Sequence, residues 1–161
     1  MVMANEPVYR NVLVWVDFSQ SCPRLMEQAA VIARGSGGGG AVLHVVHACT
    51  PPWMKLHYRS PAEASSEKER NAYEARELAR LRECVGPVVE RTPGLDVRYA
   101  VLFGVDPAQE VLEYGRRVHA DLLVMHAERP TGLLGAMEKR LDPTVRMESE
   151  LDAPVLVLRG D

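Results

Sequence analysis

The 161-residue sequence has few cysteines and no long hydrophobic run. Its three cysteines, Cys22, Cys49 and Cys84, are odd in number and stand in neither a CxxC pair nor a metal-type spacing. This pattern disfavours both a disulfide and a zinc site. No apolar stretch reaches the roughly 18–20 residues that cross a bilayer, and residues 1–10 lack the features of a signal peptide. We therefore expect a cytoplasmic protein with no membrane partner.

The chain also lacks an excess of basic charge. Nineteen Lys and Arg stand against twenty-two Asp and Glu, for a formal net charge of −3. Because nucleic-acid-binding domains usually carry a basic excess on one face, no nucleic-acid partner is expected. Hydrophobic residues make up 47% and charged residues 25% of the chain, which is ordinary for a globular fold. The length predicts a single domain over residues 1–161.

Short apolar runs alternate with amphipathic segments along the chain. The runs predict five strands, at residues 12–16, 41–46, 97–101, 121–125 and 154–158, of which the first, second and fourth have the continuous apolar character of buried strands. Helix-start signals stand near Ser21, Ser66, Asp106 and Asp142. This alternation predicts an α/β fold with a mostly parallel sheet and helices on both faces. Ligands bind such sheets at the carboxyl ends of the strands, which points to residues 17–19 and to His126 onward.

Residues 49–65 form a long irregular segment with three prolines and the apolar side chains of Trp53, Met54, Leu56 and Tyr58. Loops of this length are uncommon unless they are functional or mobile. Two interpretations stay open. The segment closes over a pocket or docks on a protein partner, or it packs on a helix of its own chain.

Several segments, in order, resemble the universal stress protein family. They are the opening at residues 16–19, the second strand at 43–46, the helix start at 103–107, the fourth strand at 120–125 and the closing strand at 153–158. The likeness covers about residues 10–48 and 95–159. It implies a five-stranded parallel sheet in the order 3-2-1-4-5, of the Rossmann-like type seen in adenine nucleotide alpha hydrolases.

The resemblance also implies a homodimer that pairs its fifth strands. The segment Val155–Leu158 is uncharged and apolar, and such an edge strand invites pairing if it is left bare. The alternative is an edge covered by the terminus of the same chain. We favour the dimer.

Nucleotide-binding members of this family hold phosphates in a loop after the fourth strand, with the pattern Gly-x-x-Gly-x9-Gly-Ser/Thr. The glycines let backbone N–H groups approach phosphate oxygens. Met125 matches the residue before the loop, but His126 and Arg129 replace the first two glycines. The final Gly-Ser/Thr pair is replaced by Lys139 and Arg140 when the residues are counted from these positions.

Counting back from the closing strand places Leu141 and Asp142 at that pair instead, so neither register keeps it. The resemblance therefore implies a degraded phosphate loop, with ATP binding that is weak, atypical or absent. No cofactor is required. The alternative is an ATP or AMP site in which Arg129, Lys139, Arg140 and His126 hold the anion by charge.

The part of the family site that contacts adenine matches this sequence better than the phosphate loop does. The resemblance places Asp17 and the backbone of Val45 at the adenine ring, with Trp15 two residues before the aspartate. Core packing is the alternative for Trp15, and turn formation the alternative for Asp17. His44 and His47 lie on one predicted strand and could share a face, but no third metal ligand is evident.

Enzyme motifs are also missing. The sequence contains no GxSxG, GxGxxG or Walker-type GxxxxGK[ST] motif and no evident set of nucleophile, base and orienting group. We therefore predict a non-enzymatic stress-response module. An ATP- or AMP-dependent switch is the alternative, and an adenylyl-transferring or flavin-linked enzyme is the least favoured class.

Overall fold

The structure, a computed structural model, describes residues 8–36, 40–55, 66–127 and 142–159. The elements in these ranges are β1 (Asn11–Trp15), α1 (Cys22–Gly35), β2 (Val42–Cys49), α2 (Pro52–Lys55), α3 (Glu67–Glu90), β3 (Asp96–Phe103), α4 (Pro107–Arg117), β4 (Leu122–Ala127), α5 (Pro143–Glu150) and β5 (Val155–Arg159). The predicted alternation of strands and helices is confirmed. The short helix α2 is an addition, in a segment that the sequence predicts to be irregular.

The five strands form one parallel sheet in the order β3-β2-β1-β4-β5, as predicted. At its centre, Val14 of β1 lies between Val45 of β2 and Val124 of β4. These three side chains lie on one face and are fully buried, as are Leu13 and Leu123 on the other face. Burial on both faces accounts for the continuous apolar runs of β1 and β4. The winding direction reverses between β1 and β4, so the carboxyl ends of these two strands form the switch point where a ligand binds.

Helices cover both faces of the sheet. On one face, Leu25 of α1 and Leu81 of α3 are fully buried against the strands. On the other face, Leu112 of α4 and Met147 of α5 are fully buried. Burying one such side chain stabilises the fold by about 1.5–3 kcal/mol. Within the described ranges, no helix is long and apolar enough to cross a membrane.

Three helices begin as their sequences predict. The hydroxyl of Ser66 accepts a hydrogen bond from the N–H of Glu69, and the Glu69 carboxylate accepts one from the N–H of Ser66. Asp106 caps α4, and Asp142 caps α5 by accepting from the N–H of Thr144 at 2.9 Å. Ser21 is the exception, because it stands at the cap position of α1 but its side chain makes no capping hydrogen bond.

One expectation about the cysteines is wrong. Cys22 of α1 and Cys84 of α3 are paired, with their sulfur atoms in contact and their Cα atoms 7.0 Å apart. The two residues are 62 positions apart in the chain, so local spacing held no signal for the pair. It joins two helices on the same face of the sheet.

The aromatic residue Trp53 of α2 packs on its own chain. Its ring meets Tyr73 of α3 edge-on, with centroids 5.2 Å apart, and Phe103 of β3 at 5.8 Å. This supports the packed interpretation for Trp53. Tyr58 and the rest of residues 56–65 lie outside the described residues, so a partner-binding role for the segment stays a prediction.

Candidate functional site

A pocket of about 310 Å³ lies at the carboxyl ends of the central strands, where the topology predicts a ligand. Its lining residues come from β1, β2, β4 and the start of α5, and they are Trp15, Asp17, His47, Ala48, Met125, His126 and Pro143. Four of the residues predicted for the site therefore do meet in one cavity.

Trp15 and Met125 form the apolar wall of the pocket. Trp15 is partly buried and packs against the core on the α4 and α5 face, which agrees with the core-packing alternative, and contact with a ligand stays a prediction. Val45 is fully buried in the ladder between Val14 and Tyr99 and is not among the lining residues. The side of the pocket near Trp15 is therefore suited to a flat apolar group.

The polar part of the pocket is a chain of hydrogen bonds. One oxygen of the Asp17 carboxylate accepts from the N–H of Ser19 at 2.9 Å. The other oxygen lies 3.2 Å from Nδ1 of His126. On the far side of the same ring, Nε2 of His126 lies 3.2 Å from the hydroxyl oxygen of Ser21. The imidazole therefore joins the end of β4 to the turn between β1 and α1.

The charge of Asp17 sets the proton positions in this chain. Partial burial raises the pKa of Asp17, but hydrogen bonds from Ser19 and His126 outweigh it, so that the net pKa is lowered. The carboxylate is ionised at neutral pH and can only accept hydrogen bonds. Nδ1 of a neutral His126 ring then carries the proton, and Nε2 accepts one from the hydroxyl of Ser21.

The turn that carries Asp17, Ser19 and Ser21 is strained. Phe18 has a positive φ of 58°, a conformation that is costly for a bulky side chain. Its ring lies 4.1 Å from the ring of His47 and 4.1 Å from the guanidinium of Arg80. These contacts pack the Phe18 side chain against β2 and α3.

The two histidines of β2 lie on opposite faces, contrary to the possibility that they share one. His47 lines the pocket and donates from Nδ1 to the carbonyl of Val16 at 2.8 Å. His44 is only 4% exposed and lies 3.3 Å from the hydroxyl of Tyr114 and 3.1 Å from the amide oxygen of Asn11. Burial lowers the pKa of His44, and the positive charge of Arg98 lowers it further.

Across the described ranges, no three His, Cys, Asp or Glu side chains are grouped to hold a metal ion. Three further predicted site residues, Arg129, Lys139 and Arg140, lie outside those ranges. An anion site built on their charge therefore stays a prediction.

Sequence reasoning missed the part played by Ser21. It identified Ser21 as a helix cap and found no set of nucleophile, base and orienting group. The structure adds that Ser21, His126 and Asp17 form a continuous hydrogen-bonded chain. Ser21 and His126 are 105 positions apart, so no short motif could reveal the contact. Shared placement at the carboxyl edge of the sheet was the one available signal.

The universal stress protein family profile matches residues 8–159 of the chain. A search of curated proteins finds no significant match.

Solved structures of the same family share the fold at low sequence identity. The universal stress protein UspA from Lactobacillus plantarum is 20% identical with a TM-score of 0.68, over 95% of this chain and 99% of that one. A universal stress protein solved in complex with cAMP is 20% identical with a TM-score of 0.62, over 96% and 100% of the two chains. A family member from Burkholderia pseudomallei is 20% identical with a TM-score of 0.60, over 94% and 96%.

Proposed function

The chain belongs to the universal stress protein family, and on that premise we propose that it is a non-enzymatic, homodimeric stress-response module that binds ATP weakly or not at all. The observation that carries the proposal is the contact between His126 and Asp17 inside the pocket. The residue that replaces the first glycine of the phosphate loop is bound to the residue expected at the adenine ring.

This contact opposes ATP in two ways. A nucleotide that reached Asp17 would compete with its hydrogen bond to His126, which at this partly exposed carboxylate is worth about 0.5–1.5 kcal/mol. The side chain of His126 also adds bulk where the loop pattern requires bare backbone. The pocket, at about 310 Å³, lies at the lower end of the roughly 300–1,000 Å³ typical of ligand sites.

An adenine-nucleotide switch is the second candidate. It is favoured by the similar universal stress protein that was solved in complex with cAMP. In the present chain, Trp15 and Met125 offer an apolar wall to a flat ring, and Asp17 offers an acceptor beside it. A ligand with a single phosphate would place less charge near the replaced glycines than ATP does.

The homodimer is supported by the edge strand β5. β5 lies at one end of the sheet and pairs with β4 alone among the described strands. The apolar side chains of Val155–Leu158 are all only partly buried. A second copy of the chain, pairing edge to edge, would cover them and satisfy the outer backbone groups.

Calorimetric titration with ATP, AMP and cAMP tests the nucleotide part. The wild-type protein is compared with His126→Gly, which restores the glycine of the family pattern, and with His119→Gly as a control in the turn after α4. We expect no micromolar ATP binding by the wild type and tighter binding by His126→Gly. Micromolar binding of ATP by the wild type would overturn the proposal. Binding of AMP or cAMP alone supports the switch.

A further inference from the structure

We propose that Ser21 is a nucleophile that accepts an acyl group from an activated carboxylic ester, with His126 as its base and Asp17 as the group that orients the base. The inference goes beyond the function proposed above and does not depend on nucleotide binding. It concerns a single acylation of the protein itself, without turnover, and is therefore compatible with a non-enzymatic module. It rests on the hydrogen-bonded chain at the carboxyl edge of the sheet.

The connectivity is the one that acyl transfer requires. The serine hydroxyl faces Nε2 of the imidazole at 3.2 Å, and the carboxylate faces Nδ1 at 3.2 Å. Because Asp17 is ionised and only accepts, it selects the ring form whose Nε2 lone pair points to Ser21. Both distances lie at the long end of the range of about 2.6–3.2 Å, as is common before a substrate binds.

The hydroxyl of Ser21 has no structural task in its own helix. A serine at a helix cap normally accepts a hydrogen bond from the first turn, yet the side chain of Ser21 makes no such bond. Its hydroxyl is directed to His126 instead, while its N–H is held by the hydroxyl of Ser19 at 3.3 Å. Ser21 is partly exposed, so an ester can reach it.

The surroundings favour the negative charge that develops during acyl transfer. Ser21 stands at the N-terminal end of the 14-residue helix α1, whose dipole stabilises an anion there. The pocket lined by Asp17 and His126, the two residues in the hydrogen-bonded chain with the Ser21 hydroxyl, has an apolar wall from Trp15 and Met125, although Ser21 itself does not line it.

The acylation step balances without a further reactant. The hydroxyl proton of Ser21 passes to Nε2 of His126 while the serine oxygen bonds to the carbonyl carbon of the ester. The bond between that carbon and the leaving oxygen then breaks, and the imidazolium returns the proton to the leaving oxygen. The products are an acylated Ser21 and a free alcohol or phenol.

The test exposes the full chain to p-nitrophenyl acetate and locates acetyl groups by intact mass and peptide mass spectrometry. We expect acetylation on Ser21 ahead of exposed serines such as Ser149, which serves as an internal reference in the same folded molecule. Ser21→Ala removes the modification from that peptide. Asp17→Asn and His126→Ala slow it by about 10²-fold or more, the usual contribution of a positioned base. Ser149→Ala, a matched surface variant, leaves the rate on Ser21 unchanged.

Circular dichroism and urea unfolding show which variants are folded, and rates are compared for those alone. If Asp17→Asn or His126→Ala fails to fold, the wild-type ratio between Ser21 and Ser149 decides the matter. Acetylation of Ser21 no faster than that of Ser149 overturns the proposal. A folded His126→Ala that is acetylated at the wild-type rate also overturns it.

Discussion

Nδ1 of His126 lies 3.2 Å from a carboxylate oxygen of Asp17, a contact between residues 109 positions apart. The His126 side chain is only 6% exposed, while that of Asp17 is 42% exposed. The pair ties the end of β4 to the turn after β1, directly across the switch point of the sheet. It defines the polar side of the pocket.

A double-mutant cycle of Asp17→Ala and His126→Ala measures this contact. We expect each single variant to lower the free energy of unfolding, and the pair to show a coupling of about 0.5–1.5 kcal/mol. The cycle is read from urea denaturation at neutral pH. The hydrogen bond that Asp17 accepts from the N–H of Ser19 does not contribute to the coupling energy, because it is lost in both Asp17→Ala and the double variant. Strictly additive effects would mean that the two side chains do not meet in solution.

The buried imidazole of His44 predicts a loss of stability in mild acid. Its folded pKa lies below the ordinary value of 6.5 because of burial and Arg98. The unfolded chain therefore binds the proton first as the pH falls. The contribution of His44 to stability is complete above about pH 6.5 and is lost as the pH falls through the folded pKa.

We expect His44→Gln to flatten the decline in the free energy of unfolding between about pH 7.5 and 5.5 relative to the wild type. Urea titrations at several pH values measure it, with His119→Gln as the exposed control. If the free energy of unfolding of His44→Gln falls with pH as steeply as that of the wild type, groups other than His44 cause the decline.

Because Asp106 both caps α4 and forms an ion pair, we expect its substitutions to lower the free energy of unfolding by different amounts. Its side chain accepts from the N–H of Gln109 and also pairs with the guanidinium of Arg146 in α5, a contact that lowers the pKa of Asp106. Asp106→Ala should lower the free energy of unfolding by about 0.5–2 kcal/mol, the usual value of a cap.

Asp106→Asn keeps a capping oxygen and loses the ion pair, which is worth at most about 1 kcal/mol at an exposed position. Thermal and urea unfolding should therefore rank the proteins as wild type, Asp106→Asn and Asp106→Ala. Equal losses in the two variants would show that the ion pair, and not the cap, carries the effect.

The open edge of β5 predicts how the dimer can be broken. The N–H of Leu123 bonds to the carbonyl of Pro154 at 3.0 Å. Since alternate residues of a parallel strand bond to the same neighbour, the backbone groups of Val155 and Val157 point to the open edge. Val157→Pro removes an outward N–H without breaking a bond to β4.

We expect light scattering to give twice the chain mass of 17.9 kDa for the wild type and for the control Val157→Thr, which keeps the N–H. Val157→Pro should give the monomer mass with unchanged circular dichroism. A monomeric wild type, or a Val157→Pro protein that stays dimeric, would refute pairing through this edge.

Local chemistry made most of the fold predictable. The run of residues 12–16 predicted a strand covered on both faces, and Val14 on one face and Leu13 on the other are fully buried. The Asp-Pro pairs at Asp106 and Asp142 predicted helix starts that the structure confirms. In each case the forces that decide the element act within a few residues.

The site was less predictable because its decisive contacts are long-range. The sequence around Ser21 is typical of a helix cap, but in the folded chain its hydroxyl forms a hydrogen bond with His126 instead. The pairing of Cys22 with Cys84 likewise depends on how α1 and α3 pack. The predicted topology placed the Asp17 turn and His126 at the same edge of the sheet. Which side chains form hydrogen bonds there is decided by tertiary packing and could not be read from the sequence.

A crystal structure of the protein soaked with ATP tests the central claim most directly. We predict that the contact between Asp17 and His126 persists and that no ordered triphosphate lies beside it. A triphosphate seated in the site, with its γ-phosphate held by main-chain amides between His126 and Thr144, would contradict the claim.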